Sequence, residues 1–168
     1  NDNYQLNVPY GKWLVAQDAV NQSAAVIMTS VGRARELGVP ESQWVYLHGY
    51  ADAKARFLSE REDLSTSIAM KAAYQHALSM ADVTVDRIQH LDIYSCFPVA
   101  VLSACEALGI NWREHSPLTV TGGLPYFGGP CNSYSLHAIA EMHTRLCDAA
   151  GEFGLVGANG GYLSKHAA

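Results

Sequence analysis

Positive charge is scarce in this chain. Only 11 Lys and Arg stand against 16 Asp and Glu, a net charge of -5 with neutral histidines. A protein that grips a phosphate backbone needs a basic face, so nucleic acid is excluded as a partner. Long apolar runs are missing too. No stretch of about 18 consecutive apolar residues exists, so no membrane-spanning helix is expected. The four cysteines, Cys96, Cys105, Cys131 and Cys147, form no C-x-x-C pair. Reduced thiols fit that spacing better than disulfides or zinc, and neither a metal nor a bound cofactor is expected. Internal repeats, heptads and low-complexity tracts are absent. The start, Asn1-Asp2-Asn3-Tyr4, lacks both a secretory pattern and an initiator Met, and reads as part of a longer cytoplasmic protein.

What remains is a 168-residue chain that is 49% hydrophobic and 16% charged, enough for one domain with a real core or for half of a duplicated one. Its centre of interest is residues 118–134. A β-branched run, Leu118 to Thr121, reads as a buried strand. It leads into Gly122-Gly123 and Gly128-Gly129-Pro130, and a helical pattern opens at Asn132, the expected cap. Glycines and prolines at this density suit neither a helix nor a strand interior. A strand, a glycine-rich loop and a helix start together present free N–H groups that favour an oxyanion or phosphate. A plain βα connection without a ligand has the same spacing.

Along the rest of the chain, β-rich runs alternate with stretches of helical period. Strands are expected near 24–29, 43–50, 90–94, 118–121 and 153–157. A short helix is expected over 16–23 and another from Ser30 to Leu37, with Ser30 as cap and Gly38 past its end. Residues 51–63 read as a surface excursion. Ser65 or Ser67 opens the next helix, whose apolar stripe is Ile68, Ala69, Ala72, Tyr74, Ala77, Leu78 and Ala81. Pro98 suits the first turn of the following helix, which buries Val101, Ala104, Cys105 and Leu108 and stops at Gly109. A last helix from Ser133 to about Ala149 places Leu136, Ile139, Ala140, His143 and Cys147 on its buried side. This alternation predicts a layered α/β fold with a parallel or mixed sheet.

Three stretches, in this order, resemble the C-terminal half of the thiolase family. Ile93-Tyr94-Ser95-Cys96-Phe97 is similar to the N-E-A-F motif, and closer to the H-D-C-F form of sterol-carrier-protein-type thiolases. Gly122-Gly123-Leu124-Pro125-Tyr126-Phe127-Gly128-Gly129-Pro130 resembles G-G-x-x-x-x-G-H-P. Gly157-Ala158-Asn159-Gly160-Gly161 stands in the place of C-x-G-G-G. The likeness covers residues 15–166, and is nearest to bacterial thiolase-like proteins of the acetyl-CoA acetyltransferase type. It implies an α/β/α layered domain with a mixed sheet, with residues 1–30 ending an N-terminal thiolase domain. Residues 31–168 would form a C-terminal domain, truncated and short of its last strand.

The resemblance also implies acyl transfer between coenzyme A thioesters, in lipid metabolism, without a further cofactor. Acyl-CoA and an N-terminal thiolase half that carries the nucleophile are the implied partners, with a homo-oligomer as a further possibility. The motifs are altered at their chemical positions. Gly129 replaces the G-H-P histidine, Gly157 or Ala158 the C-x-G-G-G cysteine, and Tyr94 the leading Asn or His. The remaining catalytic candidates are Tyr94, Cys96 and His166. Gly122, Gly123, Gly128, Gly129, Cys131 and Asn132 are the candidates for substrate binding. Two readings follow: an acyltransferase half with a rearranged catalytic set, or a degenerate thiolase fold that binds acyl-CoA or a partner subunit. If chemistry is retained, His166 should lie within hydrogen-bond reach of Cys96 or Cys131. Tyr94, Cys96, Gly123, Gly129 and His166 should all converge on one edge of the sheet.

Overall fold

The computed structural model describes residues 2–115 and 117–168, leaving Asn1 and Ser116 outside the account that follows. A small ladder, β1 (Gln5–Asn7) with β2 (Tyr10–Gly11), opens the chain. The main elements follow as α1 (Val31–Glu36), β3 (Asp52–Lys54), α2 (Ile68–Ala81), β4 (Ile88–Ile93), α3 (Pro98–Leu108), α4 (Tyr134–Asp148), β5 (Phe153–Gly160) and β6 (Lys165–Ala167). The main sheet has the order β3-β6-β5-β4. β4 and β5 are parallel, whereas β6 is antiparallel to both β5 and β3. The mixed sheet is the expected one.

Local chemistry explains where the helices begin and end. Ser30 caps α1 by accepting from the Arg33 N–H at 3.2 Å, and Gly38 follows it with φ 71°. Of the two serines offered for α2, Ser67 is the cap, accepting from the Met70 N–H at 3.3 Å. Pro98 sits at the first position of α3, where its missing N–H costs nothing, and Gly109 ends the helix in the left-handed conformation.

The period-2 alternation of the parallel strands β4 and β5 divides the core into two layers. Leu91, Ile93 and Leu155 join Met70 and Tyr74 of α2 and Ala104, Cys105 and Leu108 of α3. On the other face Val156 packs with Tyr134 and Ala138 of α4, beside Leu124. Each large apolar side chain so buried contributes roughly 1.5–3 kcal/mol of transfer free energy. The result is an α/β/α sandwich with α2 and α3 on one side and α4 on the other.

Several expectations are corrected. No helix forms over 16–23 and no strand over 24–29; Ile27 and Met28 are 93% and 79% exposed. No strand lies beside this run among the described residues, and a β-rich segment without a neighbour has no ladder to join. The same holds for 44–50, which follows a 3-10 turn at Glu41–Gln43. Residues 118–121 are not a ladder strand either, and the sheet is built without them. One backbone bond, Ile93 N–H to the Leu118 carbonyl at 3.0 Å, starts a pairing that a side chain then takes over. The excursion 51–63 contributes β3, because the end of the chain returns to pair with it.

The helix faces also shift. α2 buries Met70, Ala73, Tyr74 and Ala77, leaving Ile68 80% exposed and Ala72 exposed. α4 buries Tyr134, Ala138 and Met142, while Ile139 and His143 face outward. The sheet sets that face. At Gly154 of β5 an added Cβ would collide with the Met142 sulfur, so the missing side chain is the seat of Met142.

Candidate functional site

The parallel strands β4 and β5 both end at one edge of the sheet, where an open α/β sheet usually binds ligands. Tyr94, Ser95 and Cys96 leave β4 there, and Asn159 lies near the end of β5. The glycine loop is fastened to the same edge by Ser95, whose hydroxyl accepts from the Leu124 N–H at 3.0 Å. A Cβ on Gly123 would come within 2.7 Å of that hydroxyl, and Gly123 has φ 84°. Both facts require glycine. Tyr94 and the Gly122-Gly123 loop therefore share an edge, as the motif order implies.

The loop is held from below by a buried carboxylate that sequence reasoning did not select. Asp92 is fully buried on the α4 side of β4. Its Oδ2 accepts from the N–H groups of Val120 and Thr121, both at 3.0 Å, and from the Thr121 hydroxyl at 2.9 Å. Its Oδ1 accepts from the Tyr134 hydroxyl at 2.9 Å. Burial pushes the Asp92 carboxyl upward, and these donors pull it back down. The Tyr134 phenol is pushed above its ordinary range by burial first and by the Asp92 charge second. Asp92 thus replaces the strand that 118–121 would have paired with. The sequence signal was an acidic residue inside the apolar run Leu91-Asp92-Ile93.

Cys96 is half-buried, with its thiol 3.7 Å from the Asn159 side-chain oxygen. The Asn159 amide nitrogen reaches the Tyr94 carbonyl at 3.4 Å, which fixes the orientation of the amide. Burial pushes the Cys96 thiol up, against a smaller opposing pull from the Phe97 N–H and its own. Tyr94 stacks edge-on against Tyr134 at 5.3 Å. Its phenol is pushed up by burial, then by the neighbouring Cys96 and Cys131 thiols. No hydrogen bond to its hydroxyl is made among the described residues. At neutral pH both groups therefore keep their protons and act as donors.

The other candidates separate into two groups. Cys131 is exposed and, with φ 48°, opens the 3-10 turn Cys131–Ser133 that feeds α4. Asn132, also exposed, lies within that turn and caps nothing; Ser133 precedes α4 without a side-chain cap. Gly122 stands in open space, whereas Gly128 and Gly129 do not. A Cβ on Gly128 would meet Val20 at 2.9 Å, and one on Gly129 would meet Ala16 at 3.0 Å. The Gly129 N–H donates to the Gln17 carbonyl at 2.7 Å. These two glycines receive the incoming chain rather than a ligand.

His166 is the clearest displacement from expectation. It is the ladder partner of Asn159, yet its ring turns away from both Cys96 and Cys131. Its Nε2 lies 3.2 Å from the Ser67 hydroxyl and 3.1 Å from the Leu163 carbonyl, and Nδ1 is buried without a partner. Only 4% of the residue is exposed. Burial lowers its basicity, the nearby Arg61 adds to that, and the Leu163 carbonyl opposes both. A neutral ring in this position carries no proton to the strand edge. Among the described residues no group of three or more His, Cys, Asp or Glu side chains is placed to hold a metal ion. No helix is long and apolar enough to cross a membrane.

No family model matches the chain. Acetyl-CoA acetyltransferase IA of Candida tropicalis is 27% identical over 139 residues, which cover 82% of this chain and 32% of that protein. The cytosolic acetyl-CoA acetyltransferase ERG10 of Gibberella zeae is 26% identical over 140 residues, covering 83% of this chain and 33% of its own length. Among solved structures, a monomeric SCP2-thiolase-like protein type 1 from Mycobacterium smegmatis matches with a TM-score of 0.90 at 48% identity. That match covers 95% of this chain and 35% of the other. The chain spans about a third of the length of the curated relatives it matches.

Proposed function

Since this chain is a relative of the thiolases with a thiolase-like α/β fold, we propose that it is the C-terminal part of a thiolase-like protein that engages acyl-coenzyme A thioesters. Of the two sequence readings, the geometry favours binding and polarising the thioester over proton transfer by this half. The observation that carries this is a neutral donor at the strand edge. Tyr94 has a hydroxyl without a protein partner among the described residues, and burial keeps it protonated, while the one proton of the Cys96 thiol beside it is directed at the Asn159 side-chain oxygen. A free phenol in that place suits a thioester carbonyl or the oxyanion it becomes. A general base would have to titrate near neutral pH within reach of the reacting atoms, and His166 is turned to Ser67 instead.

The same reading gives the chain its partners and setting. An N-terminal thiolase half is the expected neighbour, consistent with the exposed Ile27 and Met28 on the incoming segment. The solved relative is described as monomeric, which favours a neighbour in the same protein over a second copy. A cytoplasmic role in lipid metabolism belongs to this proposal.

Calorimetric titration of the full-length protein with acetyl-CoA and with free coenzyme A tests the reading. Tyr94→Phe should weaken acetyl-CoA binding by about tenfold, the equivalent of one hydrogen bond, and leave free coenzyme A nearly unchanged. The isolated chain should show no thiolysis of acetoacetyl-CoA. Steady turnover by the isolated chain would refute the binding role, and failure of the full-length protein to bind any coenzyme A ester would refute both readings.

A further inference from the structure

The parallel strands β3, β4 and β5 all end at the edge that carries Tyr94, because β6 runs antiparallel to both β3 and β5. β6 starts at that same edge. Its first residue, Lys165, is the ladder partner of Lys54 at the end of β3 and of Gly160 at the end of β5. Side chains alternate along a strand. His166 points to Ser67 at the start of α2, so Lys165 and Lys54 point to the opposite face, the one on which Tyr94 meets Tyr134 of α4. α4 lies over β4 and β5, and α2 over β3 and β6. Both lysines are left exposed.

Like charges directly opposite each other destabilise a strand pair. Among the described residues no carboxylate lies within ion-pair distance of Lys54, Arg56 or Lys165 to relieve them. Glu60 accepts from the Phe57 N–H at 3.2 Å, Asp63 accepts from Ser65 and Thr66, and Glu62 faces solvent. Asp52 lies further from the edge, beside Ala167. Arg56 extends the cationic group. The Ala55 N–H donates to the Ser164 carbonyl at 2.9 Å, and the Arg61 guanidinium ties the Arg56 carbonyl at 2.9 Å to the Leu163 carbonyl at 3.1 Å. Between these cations and Tyr94 stands Gly160, where a Cβ would meet nothing within 4 Å. The surface between them is therefore bare. Neighbouring strands lie about 4.8 Å apart, so β6 is about 10 Å and β3 about 14 Å from β4.

We propose that Lys54, Lys165 and Arg56 form a subsite for the pyrophosphate of a nucleotide, and that this nucleotide is the tail of the thioester whose carbonyl meets Tyr94. The inference rests on the acyl-coenzyme A reading above and adds to it the direction in which the ligand lies. The thioester sits at the exit of β4, the pantetheine arm crosses Gly160, and the phosphates reach the lysines two and three strands away. A pair of ammonium groups suits a diphosphate, since each cation meets one phosphate and the anion cancels the repulsion between them. The subsite is invisible in the sequence, because only the β3–β6 pairing brings Lys54 and Lys165 together.

Calorimetric titration of the full-length protein with acetyl-CoA, S-acetylpantetheine and ADP tests the subsite, in the parent, in the double variant Lys54→Gln/Lys165→Gln and in Gly160→Val. Acetyl-CoA should bind the parent about tenfold or more tightly than S-acetylpantetheine, which lacks the nucleotide. The double substitution should remove that advantage, weaken ADP by about tenfold, and leave S-acetylpantetheine unchanged, which also reports an intact fold. Gly160→Val, which sets a branched side chain under the arm, should weaken both thioesters and leave ADP unchanged. Equal binding of acetyl-CoA and S-acetylpantetheine by the parent, or ADP binding untouched by the double substitution, overturns the proposal. The two readings fail separately. If Tyr94→Phe weakens both thioesters while the double substitution weakens no ligand, the carbonyl site stands and this subsite is overturned. If ADP binds through the lysines and neither thioester binds, coenzyme A is overturned as the source of the pyrophosphate, together with the carbonyl site.

Discussion

Residues 118–121 and 44–50 are both β-rich runs, and neither ends in a ladder of its own. The first is drawn into the core, where Asp92 gathers the amides of Val120 and Thr121. The second lies open, with Tyr46, Leu47 and Tyr50 each more than half exposed and, beyond Trp44, no backbone partner among the described residues. β-propensity describes a backbone that accepts extension and a side chain that suits a pleated surface. It does not supply the partner. In one run a carboxylate meets that need, and in the other no described residue does so from Val45 to Tyr50.

The sharpest way to break this contrast is to remove the carboxylate. Asp92→Ala leaves the Val120 and Thr121 amides without their acceptor, and the Thr121 and Tyr134 hydroxyls with only each other at 2.6 Å, so chemical denaturation should register a loss of about 3–5 kcal/mol. A variant within about 1 kcal/mol of the parent would mean that 118–121 holds its place without Asp92. On the open run, Gly49→Ala should cost about 1–3 kcal/mol, because the new methyl meets a helix carbonyl that cannot move aside. An unchanged denaturation midpoint would show that Gly49 is not pinned to α2.

The smallest expected effect concerns β6. Folding depresses the His166 pKa below its ordinary 6.5, chiefly through burial. The unfolded chain then takes up a proton at a higher pH than the folded one. The contribution is present above about pH 6.5 and is lost as pH falls through the folded value. Stability should decline on acidification below that point, and His166→Gln should flatten the decline. An identical pH profile in the variant would remove His166 as its cause.

Legibility in the sequence followed locality. Ser30, Ser67, Pro98 and Gly109 mark their helix ends through contacts made within a few residues, and each was readable. β4 and β5 were readable because their apolar runs are buried by either neighbour. β3 was not: Asp52-Ala53-Lys54 contains no good strand former, and only pairing with β6 makes it a strand. The faces of α2 and α4 were misjudged because the helical period fixes a stripe only once the sheet it packs on is placed, and the sheet seats Met70 and Ala73 on α2 and Tyr134, Ala138 and Met142 on α4 instead. At the site, Tyr94 and Cys96 were legible as the exit of a strand. Asp92 and Asn159 were not, since their roles depend on partners many residues away. His166 was assigned by nearness to the motifs in sequence, and its ring direction is a tertiary fact.

The placement of β6 bears on the order in which the molecule assembles and opens. β5 and β6 form a hairpin closed by the short turn before Ser164, whose N–H donates to the Gly160 carbonyl at 3.1 Å. Closing so short a loop takes well under a microsecond, and the hairpin itself microseconds. β3 reaches β6 only after nearly the whole intervening chain has been gathered in, at a correspondingly larger loop entropy. The hairpin is therefore a unit that waits, and β3 with the open run before it is the last to dock. In reverse, that same margin is the first to fray, which keeps access to the sheet independent of global unfolding.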